Sequence, residues 1–179
     1  MLGRKLEISP AAVLMLALIC FLDNAGIPAI LAPAILVHEF GHYCVLRFCG
    51  CRVKTVRIGA FGIEMDYFGD LSSRELLCCA AAGPLLGLAY ALLAFAVGGR
   101  YLQLSGTVSV LLSGFNLLPI RPLDGGRIIE TLAGDTAAGK LSRCASVLLL
   151  LLTAVLTVLF GAWTLLAMSA WLVICNFSA

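Results

Sequence analysis

The sequence predicts an all-α polytopic membrane protein of about six transmembrane helices with a small β-hairpin at the cytoplasmic face. Three observations predict it. Of the 179 residues 61% are apolar and only 12% charged, against about 25% charged in an average soluble domain. The apolar residues gather in runs close to the about 20 residues that cross a bilayer. The basic residues fall almost entirely on one side of those runs.

Six spans are expected, at 8–22, 27–48, 75–98, 102–119, 141–160 and 162–177. The first follows Arg4 and Lys5 as a signal peptide would, but Leu22-Asp23-Asn24-Ala25 offers no small-x-small cleavage site, so it reads as a retained span. The last two turn tightly around Gly161. Of the 12 Lys and Arg residues only Arg100 falls on the far side, while Arg4 and Lys5, the cluster Arg47 to Arg74, and Arg121 to Arg143 share the other. Positive residues are retained in the cytoplasm. The expectation is therefore a multi-pass protein of the cell membrane, with both termini cytoplasmic.

Residues 52–68 break the pattern. Gly59 and Gly62 punctuate them, and Ile63, Met65 and Tyr67 alternate with Glu64 and Asp66, as in a strand with one buried face. Such a hairpin either covers the bundle or offers an edge to an extended peptide. The third span contains Ala80-Ala81-Ala82-Gly83-Pro84 followed by Gly87, so small residues four apart line a face that lets another helix come close.

Composition excludes several classes. A net charge of +2 without basic–aromatic clusters gives no nucleic-acid surface. Eight cysteines would suggest a disulfide framework in a small secreted domain, but Cys20, Cys78, Cys79 and Cys175 lie inside apolar runs and read as packing residues. Cys49-Gly-Cys51 sits beside the basic cluster, and no histidine remains to complete a metal site there.

The chemistry is concentrated at His38-Glu39-Phe40-Gly41-His42, which holds both histidines of the chain in one span. On a helix the two imidazoles at i and i+4 lie about 40° apart, and Glu39 is offset by about 100° from His38. Both rings reach one metal ion, and Glu39 stands beside it, able to take a proton from a water. Zinc lowers the pKa of such a water to about 7 and polarises a carbonyl. A chance pair of core histidines is the bland alternative, and an ionisable residue between them at membrane depth argues against it.

A catalytic zinc needs a third ligand and an open position. Asp23, Asp124, Cys44, Cys78 and Cys79 lie inside or beside spans. The histidines are within roughly 10 to 15 Å of the cytoplasmic end of their span at 1.5 Å per residue, and Asp124 follows the fourth span at that same end. Asp124 is thus the preferred ligand, set in Pro119-Ile120-Arg121-Pro122-Leu123-Asp124-Gly125-Gly126, where prolines and glycines oppose a regular helix. Its bland role is to cap a helix starting near Arg127.

These residues resemble the site-2 protease family of intramembrane zinc metalloproteases, in its compact six-span bacterial form. The resemblance rests on HEFGH at 38–42, Ala82-Gly83-Pro84, and NLLPIRPLDGGR at 116–127, over about residues 30–130. It implies one catalytic Zn2+ on His38, His42 and Asp124, with Glu39 as general base and then proton donor. Asn116 would orient substrate or contact the oxyanion, or else hold two helices together. The glycines and prolines would shape the site.

The length allows a single domain over 1–179 with a catalytic core at about 27–130, and the chain departs from larger relatives in lacking room for a PDZ or CBS domain; the resemblance implies action on transmembrane protein or peptide substrates in the bilayer. A regulatory membrane partner or homo-oligomer is left open. The rivals are a metal transporter, which would need a polar path where the spans beyond the cytoplasmic third offer almost no polar residues, and a non-catalytic membrane scaffold, against which Glu39 argues.

Overall fold

The computed structural model describes residues 5–10, 12–14, 17, 21, 26–59, 62–161 and 163–178. Its elements are β1 (Lys5–Ile8), α1 (Ile27–Phe48), β2 (Arg52–Gly59), β3 (Gly62–Phe68), α2 (Ser73–Val97), α3 (Arg100–Asn116), α4 (Asp124–Ala133), α5 (Asp135–Phe160) and α6 (Trp163–Ser178). The chain divides into two compact units, Met1–Ser113 and Gly114–Ala179.

Three helices, α1, α2 and α5, are long and apolar enough to cross a membrane, and α6 is a shorter apolar helix. Among the described residues, three of the six expected spans meet both criteria. The expected 27–48 coincides with α1, while 102–119 becomes the 17-residue α3, which ends at Asn116 before Pro119. The expected 141–160 starts earlier, at Asp135, so Lys140 lies within α5 rather than before it. The span expected at 8–22 falls largely outside the described residues, and its first residue, Ile8, belongs to β1.

In the first unit, α2 opens on a capping box: Ser72 Oγ accepts from the Glu75 N–H, and the Ser72 N–H donates to Glu75 Oε2 at 2.8 Å. This reciprocal pairing satisfies two amides that the helix itself cannot. Small residues face inward on both long helices, including Ala34 and Gly41 on α1 and Ala80, Gly83 and Gly87 on α2. A Cβ on Gly41 would lie 2.5 Å from the Ala82 carbonyl oxygen, so α1 and α2 approach at backbone contact. Leu85, Leu92 and Leu93 point outward. This arrangement, small inside and large apolar outside, suits helices packed against one another in lipid.

The expected hairpin at 52–68 is β2 and β3, antiparallel, with an irregularity between Val53 and Thr55. It is part of a three-stranded sheet in the order β1-β2-β3, because β1 adds to β2 in parallel. Arg57 ties the strands together, reaching Glu7 at 3.2 Å and Asp66 at 2.9 Å. All three side chains are about half exposed, so these pairs add register more than stability. The hairpin sits on Leu46, Cys51 and Val53, with Tyr43, Met65, Leu71 and Cys79 around them, which anchors it to the end of α1 and the start of α2.

In the second unit α5 ends at Gly161, with φ 70°, a left-handed conformation suited to glycine, and α6 folds back on it as expected. The described helices carry more buried polar groups than the sparse polar pattern of the expected spans suggests. Ser105, Ser109 and Ser113 recur every fourth residue on α3, and Ser142, Ser146, Thr153 and Thr157 line α5. Most are tied locally: Ser105 Oγ accepts from Tyr90 at 2.9 Å, Ser109 donates to the Gly87 carbonyl at 2.9 Å, and Thr153 and Ser169 share a bond of 2.6 Å. These are helix-to-helix fastenings and do not outline a transport path.

Candidate metal centre

His38 and His42 stand one turn apart on α1, with Glu39 half-buried between them in sequence. Their Nε2 atoms are 3.3 Å apart and the rings meet edge to face at 75°. Two imidazole nitrogens about 2.05 Å from a tetrahedral zinc stand about 3.3 Å apart. The spacing is long for a hydrogen bond and right for a shared ion.

The His42 ring is held by its other nitrogen, Nδ1, 2.8 Å from the Cys79 carbonyl. A carbonyl can only accept, so Nδ1 carries the proton and Nε2 keeps its lone pair. This is the orientation a metal ligand requires. The carbonyl belongs to α2, so the close approach of the two helices sets the histidine's direction.

Space for an ion comes from Gly83. A Cβ there would lie 2.2 Å from His42 Nε2 and 2.9 Å from His38 Nε2. The donor set and this cradle fit a zinc ion. One of the small residues expected to serve helix packing, Gly83, thus also clears the space beside the two Nε2 atoms.

Among the other candidate ligands, Cys44 and Cys78 are exposed. Cys79 is half-buried, and its Sγ lies 4.0 Å from the His42 carbonyl oxygen, toward the backbone of α1. It serves through its own carbonyl. Asp23 lies outside the described residues. The Cys49 thiol is pushed above its usual range, first by desolvation and then by the Glu75 carboxylate and its thiol neighbours, which works against a thiolate ligand there.

Asp124 and Asn116 belong to the second unit. Asp124 is 7% exposed and opens α4. The cap position is Leu123, so Asp124 is the first helical residue and not the cap of a later helix, and its charge is favourable at the positive end of α4. Gly125 and Gly126 permit this start. A Cβ on Gly125 would fall 2.2 Å from the Leu117 carbonyl oxygen, and one on Gly126 would fall 2.8 Å from the Arg121 nitrogen. The first turn of α4 is therefore seated directly on the backbone of the loop before it. Asn116 is half-buried at the end of α3.

Fold and site together describe a mostly helical protein with three helices long and apolar enough to cross a membrane and an HExxH histidine pair that could hold a metal ion. Within that class, residues 99–160 match Peptidase family M50. The chain is 32% identical over 130 residues to Rip3 of Mycobacterium tuberculosis, whose name places it among zinc metalloproteases; the match covers 64% of this chain and 32% of Rip3. It is 31% identical over 103 residues to stage IV sporulation protein FB of Bacillus subtilis, covering 53% of this chain and 36% of that protein. The chain thus spans about a third of the length of these relatives. The solved Site-2 Protease from Methanocaldococcus jannaschii shares the fold, with a TM-score of 0.73 over 99% of this chain and 91% of that one at 22% identity. The resemblance to the site-2 protease family holds in sequence and in fold.

Proposed function

We propose that this chain is an intramembrane zinc endopeptidase that hydrolyses peptide bonds within or near transmembrane segments of other proteins. The observation that carries the reading is the His38 and His42 Nε2 pair at 3.3 Å over the Gly83 gap, on a helix apolar enough to cross a membrane. His38, His42 and Asp124 would hold one zinc ion, which supplies Lewis acidity to activate water and polarise the scissile carbonyl. Asp124 is supported by its motif and by its burial at the head of α4.

Glu39 takes the proton from the attacking water and passes it to the leaving amine. Asn116 hydrogen-bonds the substrate near the scissile bond. An intact substrate helix hides its carbonyls in i to i−4 bonds, so the segment must unwind before it reacts. β3 has no strand on its outer side among the described residues, and its edge is the proposed rest for the unwound segment. The charge distribution supports a multi-pass placement with cytoplasmic termini and the site near that face. Regulatory partners or self-association would act on this single catalytic domain.

Purified protein and Glu39→Gln, incubated with candidate membrane substrates, test the reading. Glu39→Gln should retain zinc and lose about 10²- to 10⁴-fold in cleavage rate; equal cleavage by both would remove Glu39 from the chemistry. Substrate trapped by this variant should protect β3 amides from deuterium exchange, and unprotected amides would remove the edge from substrate binding. The fastened hydroxyls of the described helices disfavour the transporter reading.

A further inference from the structure

We propose that Ser142 of α5 and Asn176 of α6 are positioning residues, which clamp the loop before Asp124 and thereby hold that carboxylate in place as a metal ligand. The inference rests on Asp124 being a ligand and concerns what keeps it there.

Arg121, three residues before Asp124, has both backbone polar groups taken by side chains far along the chain. Its N–H donates to Ser142 Oγ at 2.7 Å, and its carbonyl accepts from Asn176 Nδ2 at 2.7 Å. The Ser142 hydroxyl donates onward to Asn176 Oδ1, which closes a ring. The second Nδ2 hydrogen of Asn176 goes to the Leu172 carbonyl at 2.8 Å, anchoring the ring to α6. Ser142 is 1% exposed and Asn176 7%. In that dry setting each lost partner strands a buried polar group, so the loop has few other positions to adopt.

The Arg121 guanidinium also meets Glu130 at 3.1 Å and Asp135 at 2.5 Å. Asp135 is 78% exposed, so this outer contact is the weaker hold. The buried ring is what fixes residue 121.

There is little slack between that residue and the carboxylate. The Leu123 N–H bonds the Ile120 carbonyl at 2.8 Å, and the missing side chain of Gly126 lets α4 rest on Ile120 and Arg121. A shift of the loop therefore carries the first residue of α4 with it. Partners beyond the ligands of a metal site typically govern affinity about 10- to 100-fold.

The test uses cobalt-loaded protein in detergent, comparing wild type with Ser142→Ala, Asn176→Leu and Asp124→Ala. Ser142→Ala and Asn176→Leu should release metal to a chelator about 10- to 100-fold faster than wild type. Their visible cobalt bands should shift toward those of Asp124→Ala, and deuterium exchange in the peptide containing Arg121 should accelerate. If Asn176→Leu does not fold, Ser142→Ala, which removes a single hydroxyl, decides alone. Wild-type bands and release in the folded ring variants, with Asp124→Ala altered, would overturn the clamp and leave the ligand standing. Ring variants that only melt earlier would overturn the clamp in the same way. Wild-type bands in Asp124→Ala would overturn the ligand itself, and the clamp with it.

Discussion

The two halves of the proposed zinc site are held by different means. The histidines sit in mid-helix on α1, where periodicity places both rings on one face and a neighbouring backbone finishes the job: the Cys79 carbonyl orients one ring and the bare Gly83 leaves room for the ion. Asp124 sits where a loop becomes a helix, and its position depends on buried side chains from Ser142 and Asn176 acting on Arg121. Regular structure secures the first half. A polar ring contributed by distant sequence secures the second.

The largest effect expected from this contrast is at Gly83. In Gly83→Ala the new methyl would stand 2.2 Å from His42 Nε2, against helix backbone on one side and the ring on the other. Bound metal should fall from one equivalent to near zero, while the helical circular dichroism persists, because α2 tolerates alanine better than glycine by about 1 kcal/mol. Metal analysis of the purified variant checks this. A full equivalent of zinc in Gly83→Ala would mean that the ion does not lie between the two Nε2 atoms.

Gly125→Ala should act on the other half and less completely. Its methyl would meet the Leu117 carbonyl oxygen at 2.2 Å and lift the first turn of α4 from the loop. Overpacking of this kind costs typically about 1–3 kcal/mol. The histidine pair is untouched, so the variant should still bind metal, but more weakly and with a lowered melting temperature. A chelator titration beside a thermal melt distinguishes this from Gly83→Ala, and equal metal loss in both would erase the contrast.

This difference in support also decides how much of each half is legible in the sequence. His38, Glu39 and His42 are legible because one helical period suffices to bring them together, and the alternation at 63–67 announces β3 for the same reason. Asp124 is legible from its motif and charge topology, but the start of α4 at that very residue is not, since Gly125-Gly126 argues locally against a helix. Those glycines are tolerated because they let the helix touch the loop backbone, a contact invisible in a one-dimensional pattern. β1 escapes notice because a four-residue strand gains its partner β2 only across some 50 residues, as Lys5 opposite Thr55 shows. Asn176 is the one overlooked signal, an amide within an otherwise apolar last helix where a polar group calls for a partner.

The smallest expected effect is at Cys79, and it discriminates between two roles for one residue. A half-buried cysteine on α2, adjacent in space to a histidine proposed to bind zinc, invites the reading that sulfur is the third ligand. The geometry gives Cys79 a different role, through its backbone: its carbonyl oxygen accepts from His42 Nδ1 at 2.8 Å, while Sγ lies 4.0 Å from the His42 carbonyl oxygen. Cys79→Ala deletes the sulfur and leaves the carbonyl, so metal release and cobalt bands should match wild type, with about 1 kcal/mol of stability lost from the trimmed contact with the hairpin core. A thiolate-to-cobalt charge-transfer band that vanished in Cys79→Ala would show the opposite arrangement. It would also dissolve the contrast between the two halves, because a ligand on α2 would then belong with the histidines and Asp124 would lose its place.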